Sequence, residues 1–198
     1  MIRASMLGKL MASPDKSVLP AGAITELDKI ISKKLLKWRD TESDFLTTEK
    51  GKRCENESIE LYNDFKDTFY VKNVERITKG YLTGECDLLD VSESLVIDIK
   101  TSYSKATHPL NLSASKLYEW QLRAYMYLYN VNNAELAYCL VNTPPDLIAK
   151  KDLEDWHVVD DLPDNLRVRT LRIERDLEKE NQFLNRIKLC EEYVLKGL

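Results

Sequence analysis

The stretch "SLVIDIKTS", Ser94–Ser102, decides the fold prediction because it has the composition of a buried strand yet carries two charges. Successive side chains of a strand point to opposite faces, so Asp98 and Lys100 share one face with Val96. The other face takes the aliphatic residues Leu95, Ile97 and Ile99. An ion pair on a solvent-exposed face would also explain the two charges, since such pairs are common.

The preceding segment favours a site over a surface pair. "YLTGECDLLDV", Tyr81–Val91, alternates like a second strand, and a hairpin turning at residues 92–93 sets Asp87 directly across from Asp98. The Cβ atoms of such neighbours lie roughly 5 Å apart. Two carboxylates this close repel each other unless a cation holds them, and Mg²⁺ prefers oxygen ligands. The pair predicts a divalent metal site, whereas alternation assigns Asp90 to the turn.

A third carboxylate comes from a helix predicted over residues 47–65. Glu55 lies within the apolar stripe of the helical wheel, while Glu57 and Glu60 point away from it. The stripe consists of Cys54, Ile59, Leu61, Tyr62 and Phe65. A carboxylate on the core-facing side of a helix is costly without a partner. Glu55 is therefore a candidate metal ligand, or a carboxylate that shapes the metal's surroundings.

A polar residue also interrupts the apolar face of the helix predicted over residues 114–131. That face consists of Leu117, Gln121, Ala124, Tyr125 and Leu128. Gln121 is either a functional group or a core glutamine whose hydrogen bonds are satisfied.

Three carboxylates and a lysine on this scaffold suit metal-dependent hydrolysis of a phosphodiester. The metal would polarise the phosphate and lower the pKa of a bound water. Lys100 would position that water, help to deprotonate it, or offset charge on the phosphorane. Burial near the metal favours a lowered pKa of Lys100.

The order of predicted elements defines the fold class as α/β (α+β), with a central mixed β-sheet flanked by helices in a single domain. The 198 residues suffice for one sizeable core. We divide the chain into an N-terminal helical part (1–48), a catalytic core (49–145), and a C-terminal strand with a long helix (146–198).

Composition limits the function classes. The net charge of −4 argues against coating nucleic acid by bulk charge, although a local basic groove is compatible with it. Apolar runs are too short for a membrane span, and the first residues lack the pattern of a signal peptide, so a cytoplasmic location is expected. The four cysteines, Cys54, Cys86, Cys139 and Cys190, form no CxxC pair, which predicts buried thiols and excludes an iron–sulfur cluster.

The motifs together resemble those of the PD-(D/E)xK nuclease superfamily, and most closely its lambda-type phage exonucleases and YqaJ-like viral recombinases. "TGECDLLDVSESLVIDIKTS" (83–102) carries the G-x-x-D and D-I-K elements, with Cys86 where the name motif has proline. "GKRCENESIELY" (51–62) resembles the G-x-x-x-E helix. Gln121 and Tyr125 match the Q-x-x-x-Y helix signature. A restriction-endonuclease-like core is implied.

This resemblance implies residue roles. Glu55, Asp87, Asp98 and Lys100 match the catalytic residues, and the three carboxylates with the Ile99 backbone carbonyl would bind Mg²⁺, for which Mn²⁺ would substitute. "RAS" (3–5) resembles a segment whose serine contacts a DNA 5′-phosphate. The residues expected to contact DNA are Arg3, Ser5, Lys105, Gln121 and Tyr125.

The resemblance also implies an activity, namely 5′-to-3′ exonuclease action on linear duplex DNA in phage-type recombination. An annealing protein for the exposed strand and a homo-trimer are the implied partners. The same residues would serve an endonuclease or a structure-specific nuclease. A non-catalytic nucleic-acid-binding protein is the third hypothesis. For Lys105, an ordinary surface loop is the alternative to a phosphate contact.

Overall fold

The computed structural model describes residues 1–38, 45–112 and 115–198. Its strands are β1 (Ile2–Arg3), β2 (Ile77–Lys79), β3 (Leu82–Gly84), β4 (Leu88–Asp90), β5 (Leu95–Thr101), β6 (Asn133–Cys139) and β7 (Val168–Glu174). Its α-helices are α1 (Leu7–Leu10), α2 (Ala21–Leu36), α3 (Leu46–Arg53), α4 (Glu55–Lys66), α5 (Lys116–Tyr129), α6 (Asp164–Arg167) and α7 (Leu177–Lys196). The α/β fold class is confirmed.

The larger sheet has the order β4-β5-β6-β7, and its strand β5 carries Asp98 and Lys100. Strand β5 runs antiparallel to β4 and parallel to β6. Leu88 pairs with Ile97, and one further step along this register brings Asp87 opposite Asp98. The hairpin prediction is therefore confirmed, although Asp87 itself lies just before β4.

Strand β5 is buried on both of its faces, and only one of these faces carries its charged side chains. Leu95, Ile97 and Ile99 belong to a core shared with α4. Val96 belongs to the other core, which α1, α2, α5 and α7 help to form. The predicted alternation is confirmed, and Asp98 lies on the face that β5 turns toward α5.

A second, smaller sheet in the described residues has the order β1-β3-β2 and differs from the single central sheet that the sequence predicted. β2 and β3 form its hairpin, and β1 adds in parallel to β3. Because β1 pairs with β3, the N-terminal part (1–48) is joined to the predicted core. The proposed three-part division of the chain stays a prediction.

The helix predicted over residues 47–65 is two helices. The backbone at Cys54 leaves helical geometry (φ −102°, ψ 13°), so α3 ends at Arg53 and α4 begins at Glu55. Glu55 therefore stands in the first turn of α4, where the helix dipole favours a carboxylate. The buried residues of α4 include Ser58, whereas the predicted stripe residue Phe65 is exposed.

All four cysteines are free and buried, as the sequence predicted. None of the helices in the described ranges is long and apolar enough to cross a membrane.

Candidate active site

Asp98 is the most deeply buried carboxylate of the candidate site, with 2% of its side chain exposed. Its Oδ1 accepts a hydrogen bond from Gln121 Nε2 at 3.0 Å. Its Oδ2 lies 2.6 Å from Lys100 Nζ, and this charge-assisted contact holds the lysine beside the carboxylate. Both oxygens of Asp98 thus have polar partners, and its carboxylate group is one that a hard divalent cation prefers as a ligand.

Asp87 completes a pair of carboxylates with Asp98. The backbone N–H of Ile99 donates to Asp87 Oδ2 at 2.6 Å, which fixes Asp87 against β5. Burial and then the charge of Asp98 raise the pKa of Asp87 to about 7, and the opposing charge of Lys100 offsets them only in part. A carboxyl in this state gains most from a nearby cation, because the cation would restore its charged form.

Lys100 differs from the sequence expectation of a lowered pKa. Burial opposes its charge, but Asp98 and then Asp87 outweigh that effect and raise the pKa of Lys100. Its Nζ also lies 5.3 Å from the ring centroid of Tyr118 on α5. Lys100 is therefore held as a cation beside Asp98.

Glu55 is less buried than the helical wheel predicted, with 29% of its side chain exposed. Its Oε2 pairs with Lys72 Nζ, from the segment between α4 and β2. The hydroxyls of Ser58 and Thr101, 2.8 Å apart, connect α4 to β5. Glu55 and Lys100 line the same open cavity of about 550 Å³, so the structure brings the helix carboxylate to the catalytic strand.

Lys50 is a positioning residue that the sequence analysis missed, because its "EKGKR" cluster is typical of a solvated helix face. The side chain is fully buried, and its Nζ donates to Tyr103 O at 3.0 Å and Val141 O at 2.7 Å. Burial lowers the pKa of Lys50 to about 8. These bonds tie α3 to the chain just beyond the C-terminal ends of β5 and β6.

Gln121 and Tyr125 extend the site along α5. The Nε2 group of Gln121 lies 3.0 Å from the Tyr125 hydroxyl as well as bonding Asp98. The structure thus makes Gln121 a partner of a catalytic candidate, while its predicted DNA contact stays a prediction. Leu117 is exposed, contrary to the predicted stripe. Gly84 of the G-x-x-D element lets Tyr125 pack closely, because an added Cβ would lie 3.0 Å from its ring.

A second cavity, of about 210 Å³, opens on the Tyr125 side of the site. Arg3 and Ser5, both predicted to contact DNA, line it together with Arg76. Arg76 Nη2 lies 3.0 Å from Glu85 Oε2. The sequence analysis missed Arg76, since no local pattern links it to residues 3–5, which lie more than seventy positions earlier.

Lys105 lies apart from these cavities, neither of which it lines among the described residues. It begins the 3₁₀ helix Lys105–Thr107, and its Nζ lies 3.9 Å from Asp161 Oδ1. Its predicted phosphate contact stays a prediction.

The carboxylates fit a divalent metal by their chemistry but are not gathered around one point. Within the part of the chain that the structure describes, no three His, Cys, Asp or Glu side chains form a metal cluster. Each carboxylate instead has its own partner: Lys72 for Glu55, Ile99 N–H for Asp87, and Gln121 with Lys100 for Asp98. The Ile99 carbonyl stays a predicted ligand.

Comparison with known proteins defines the family. The family model of the PD-(D/E)XK nuclease superfamily matches residues 9–191, and the chain belongs to this superfamily. Its members generally use divalent metal ions. The chain is similar to a phage-related exonuclease from Haemophilus somnus 129PT, with a TM-score of 0.90, 26% sequence identity, and coverage of 98% of this chain and 92% of that one.

An alkaline exonuclease from Laribacter hongkongensis shares the fold. Its TM-score is 0.73 at 16% identity, with coverage of 98% of this chain and 88% of that one. A structure of the same exonuclease in complex with dAMP gives a TM-score of 0.71 at 15% identity, with the same coverage. No curated protein sequence matches the chain significantly. The protein is therefore a nuclease of this superfamily, as the sequence motifs predicted.

Proposed function

We propose that the protein is a Mg²⁺-dependent exonuclease that degrades linear double-stranded DNA from its 5′ ends. The observation that carries this proposal is the buried Asp98 carboxylate, which lies opposite Asp87 in the β4–β5 register and whose Oδ2 is 2.6 Å from Lys100 Nζ. The likeness to the phage-related exonuclease supports exonuclease action. The phage-type role in end resection rests on the motif resemblance.

Asp87 and Asp98 would hold the cation, with Glu55 and the Ile99 carbonyl as further ligands. Bound there, Mg²⁺ or Mn²⁺ would polarise the scissile phosphate and lower the pKa of a coordinated water. Gln121 keeps the Asp98 carboxylate oriented through its hydrogen bond to Oδ1. The Ile99 N–H does the same for Asp87.

Lys100 would stabilise the negative charge that develops on the phosphorane. Its Nζ lies 2.6 Å from Asp98 Oδ2, so its positive charge would stand beside the bound cation and the phosphate. The cavity it shares with Glu55 and Tyr118 is open to solvent and gives the scissile phosphate access to Nζ.

The 5′ polarity is supported by the cavity beyond Tyr125. Arg3 and Arg76 bring two guanidinium groups to it and Ser5 adds a hydroxyl, while Glu85, which also lines it, pairs with Arg76. Guanidinium groups bind phosphate in bidentate fashion. We propose that this cavity takes the 5′-terminal phosphate of the strand being degraded. An annealing partner, a trimer and a cytoplasmic location are further proposals, which rest on the motif resemblance and composition.

The test is a gel assay on three duplexes: linear with 5′-phosphate, linear with 5′-hydroxyl, and covalently closed circular. With Mg²⁺ we expect degradation of the linear duplexes, fastest with the 5′-phosphate, and no cutting of the circle. A chelator should stop all degradation. Cutting of the circle would replace this proposal with an endonuclease. Intact DNA in all three reactions, and intact RNA in a parallel reaction, with either Mg²⁺ or Mn²⁺ would indicate a non-catalytic binding protein.

A further inference from the structure

A cavity of about 740 Å³ between α1 and α2 concentrates positive charge. Among the described residues, its charged side chains are those of Arg3, Lys9, Lys29, Lys33, Lys34 and one acid, Glu26. The rest of this lining consists of Met1, Met6 and Ile30. The excess of cations here contrasts with the net charge of −4 on the whole chain.

Glu26, the one acid among the described lining residues, is shared by two lysines. Glu26 Oε1 accepts a hydrogen bond from Lys29 Nζ at 2.9 Å, and Glu26 Oε2 lies 3.7 Å from Lys9 Nζ. Like charges four residues apart on a helix destabilise it, and Lys29 and Lys33 have this spacing. A cluster that costs stability in the free protein has a reason to exist if an anion binds it.

The cavity continues the site on the side of the 210 Å³ cavity. Arg3, on strand β1, lines both of them. The smaller cavity reaches Tyr125, which is hydrogen-bonded to Gln121 and through it to Asp98. Arg3 thus lies beside both cavities, and the hydrogen bonds of Tyr125 and Gln121 connect the smaller cavity to Asp98.

Another cavity of the molecule serves for comparison, because its charged side chains have a structural role. Lys16, Lys188 and Arg186 line a cavity of about 510 Å³ together with Asp15 and Glu192. Its cations and acids nearly balance. The buried guanidinium of Arg186 donates to backbone carbonyls, among them those of Ser13 and Val18, so it holds the loop between α1 and α2.

We propose that the α1–α2 cavity is a second phosphate-binding site, which takes the nucleic-acid backbone beyond the nucleotide held at the catalytic carboxylates. This inference rests on the proposed function, because it assigns part of the same substrate. The lysines contact phosphates and read no sequence. Their contribution is electrostatic, so it weakens with salt as bound counterions compete.

The test is the salt dependence of DNA binding, measured by fluorescence anisotropy in chelator so that hydrolysis does not interfere. The variant is Lys9→Gln/Lys34→Gln, and the matched control is Lys16→Gln/Lys188→Gln, which removes the same charge from the balanced cavity. Each lost phosphate contact lowers the slope of log K against log salt by about 0.9 for duplex and about 0.7 for single strands. Between 50 and 200 mM salt, wild-type protein should lose roughly tenfold more duplex affinity than the variant.

The control should keep the wild-type slope, and Lys9→Arg/Lys34→Arg should restore it. Equal slopes for the wild-type protein and the Gln variant would overturn the inference and leave the cavity to an acidic protein segment. Melting curves check that each variant folds, and Lys34→Gln alone, at an exposed helix position, gives a milder version with half the effect.

Hydrolysis by the wild-type protein with Mg²⁺ is measured separately. Hydrolysis together with an unchanged slope defeats this inference and leaves the proposed function standing. A changed slope without any hydrolysis supports this inference and defeats the proposed function.

Discussion

Asp98 and Glu55 bring the same charge to the candidate active site, but the molecule holds them in different ways. Asp98 is almost fully buried, with contacts from Gln121 and Lys100. Glu55 keeps 29% of its side chain exposed and pairs with Lys72, itself 39% exposed. The strand carboxylate is fixed by the core, whereas the helix carboxylate is held by a partner that water can screen.

This difference indicates which parts of the candidate site form with the sheet itself. Hairpin register alone brings Asp87 opposite Asp98, so this pair exists as soon as β4 and β5 fold. The position of Glu55 depends on how α3 and α4 pack and on the hydrogen bonds of Lys50. For Glu55 to bind a metal, the cation would have to replace Lys72 as its partner. We therefore expect substitutions at the strand to act on the chemistry itself, and substitutions around Glu55 to act more mildly.

Lys100→Met should have the largest effect among the neighbours of Asp98. The methionine keeps much of the side-chain volume but removes the cation that stabilises the phosphorane. We expect hydrolysis of linear duplex to fall at least ~100-fold, the size of effect seen when one electrostatic stabiliser of a transition state is lost. Initial rates at saturating Mg²⁺ measure it, and a loss below threefold would remove Lys100 from the mechanism.

Glu55→Gln should have a smaller effect, because the two strand carboxylates remain. We expect the rate to fall by about 10–100-fold, the range typical of removing a group that supports a metal site, with more Mg²⁺ needed for half-maximal rate. Glu57→Gln is the matched control in the same first turn of α4 and should change the rate less than twofold. Equal losses in both variants would contradict the placement of Glu55 in the cleft.

The pKa of Asp87 predicts how the stability of the folded protein depends on pH. Its pKa of about 7 in the folded protein lies above the usual 3.8, so the folded state binds the extra proton between these values. Stability should then fall as pH rises from about 4 to about 7, by roughly 4 kcal/mol at most. Thermal melting in chelator from pH 5 to pH 8 measures it. Asp87→Asn should lose this part of the pH dependence, and an unchanged dependence would contradict the burial of the pair.

Lys72→Met should have the smallest effect. The pair it forms with Glu55 is partly exposed, and such pairs contribute about 0–1 kcal/mol. We expect a change in the rate below about threefold, together with activation at a lower Mg²⁺ concentration, because Glu55 loses a competing cation. Metal titration of the rate measures this. A need for more Mg²⁺ would instead mean that Lys72 helps to hold Glu55 in place.

The sequence predicted the parts of the site that local geometry determines. Alternation along β5 and the short hairpin fix the faces of Asp98 and Lys100 and the position of Asp87. The helical period of α5 likewise placed Gln121 and Tyr125 on a buried face. These residues depend on neighbours a few positions away, which a single sequence displays directly.

The remaining parts depend on contacts that no local pattern displays. The break at Cys54 turned Glu55 from a stripe residue into the first residue of α4. Lys50 is buried because two carbonyls far along the chain accept its hydrogen bonds. Arg76 reaches Arg3 and Ser5 only through the pairing of β1 with β3. The raised pKa of Lys100 likewise required knowing the Asp98 contact.

The role of Asp98 in metal-dependent hydrolysis is tested most directly by comparing wild-type protein with Asp98→Asn. The measured quantity is hydrolysis of 5′-phosphorylated linear duplex over a range of Mg²⁺ concentrations. Asparagine has nearly the same shape but lacks the charge of the oxygen that would meet the cation. We expect Mg²⁺-dependent hydrolysis by wild-type protein and only background hydrolysis by a folded Asp98→Asn variant at every Mg²⁺ concentration. Hydrolysis by Asp98→Asn at a rate close to that of wild-type protein would contradict it.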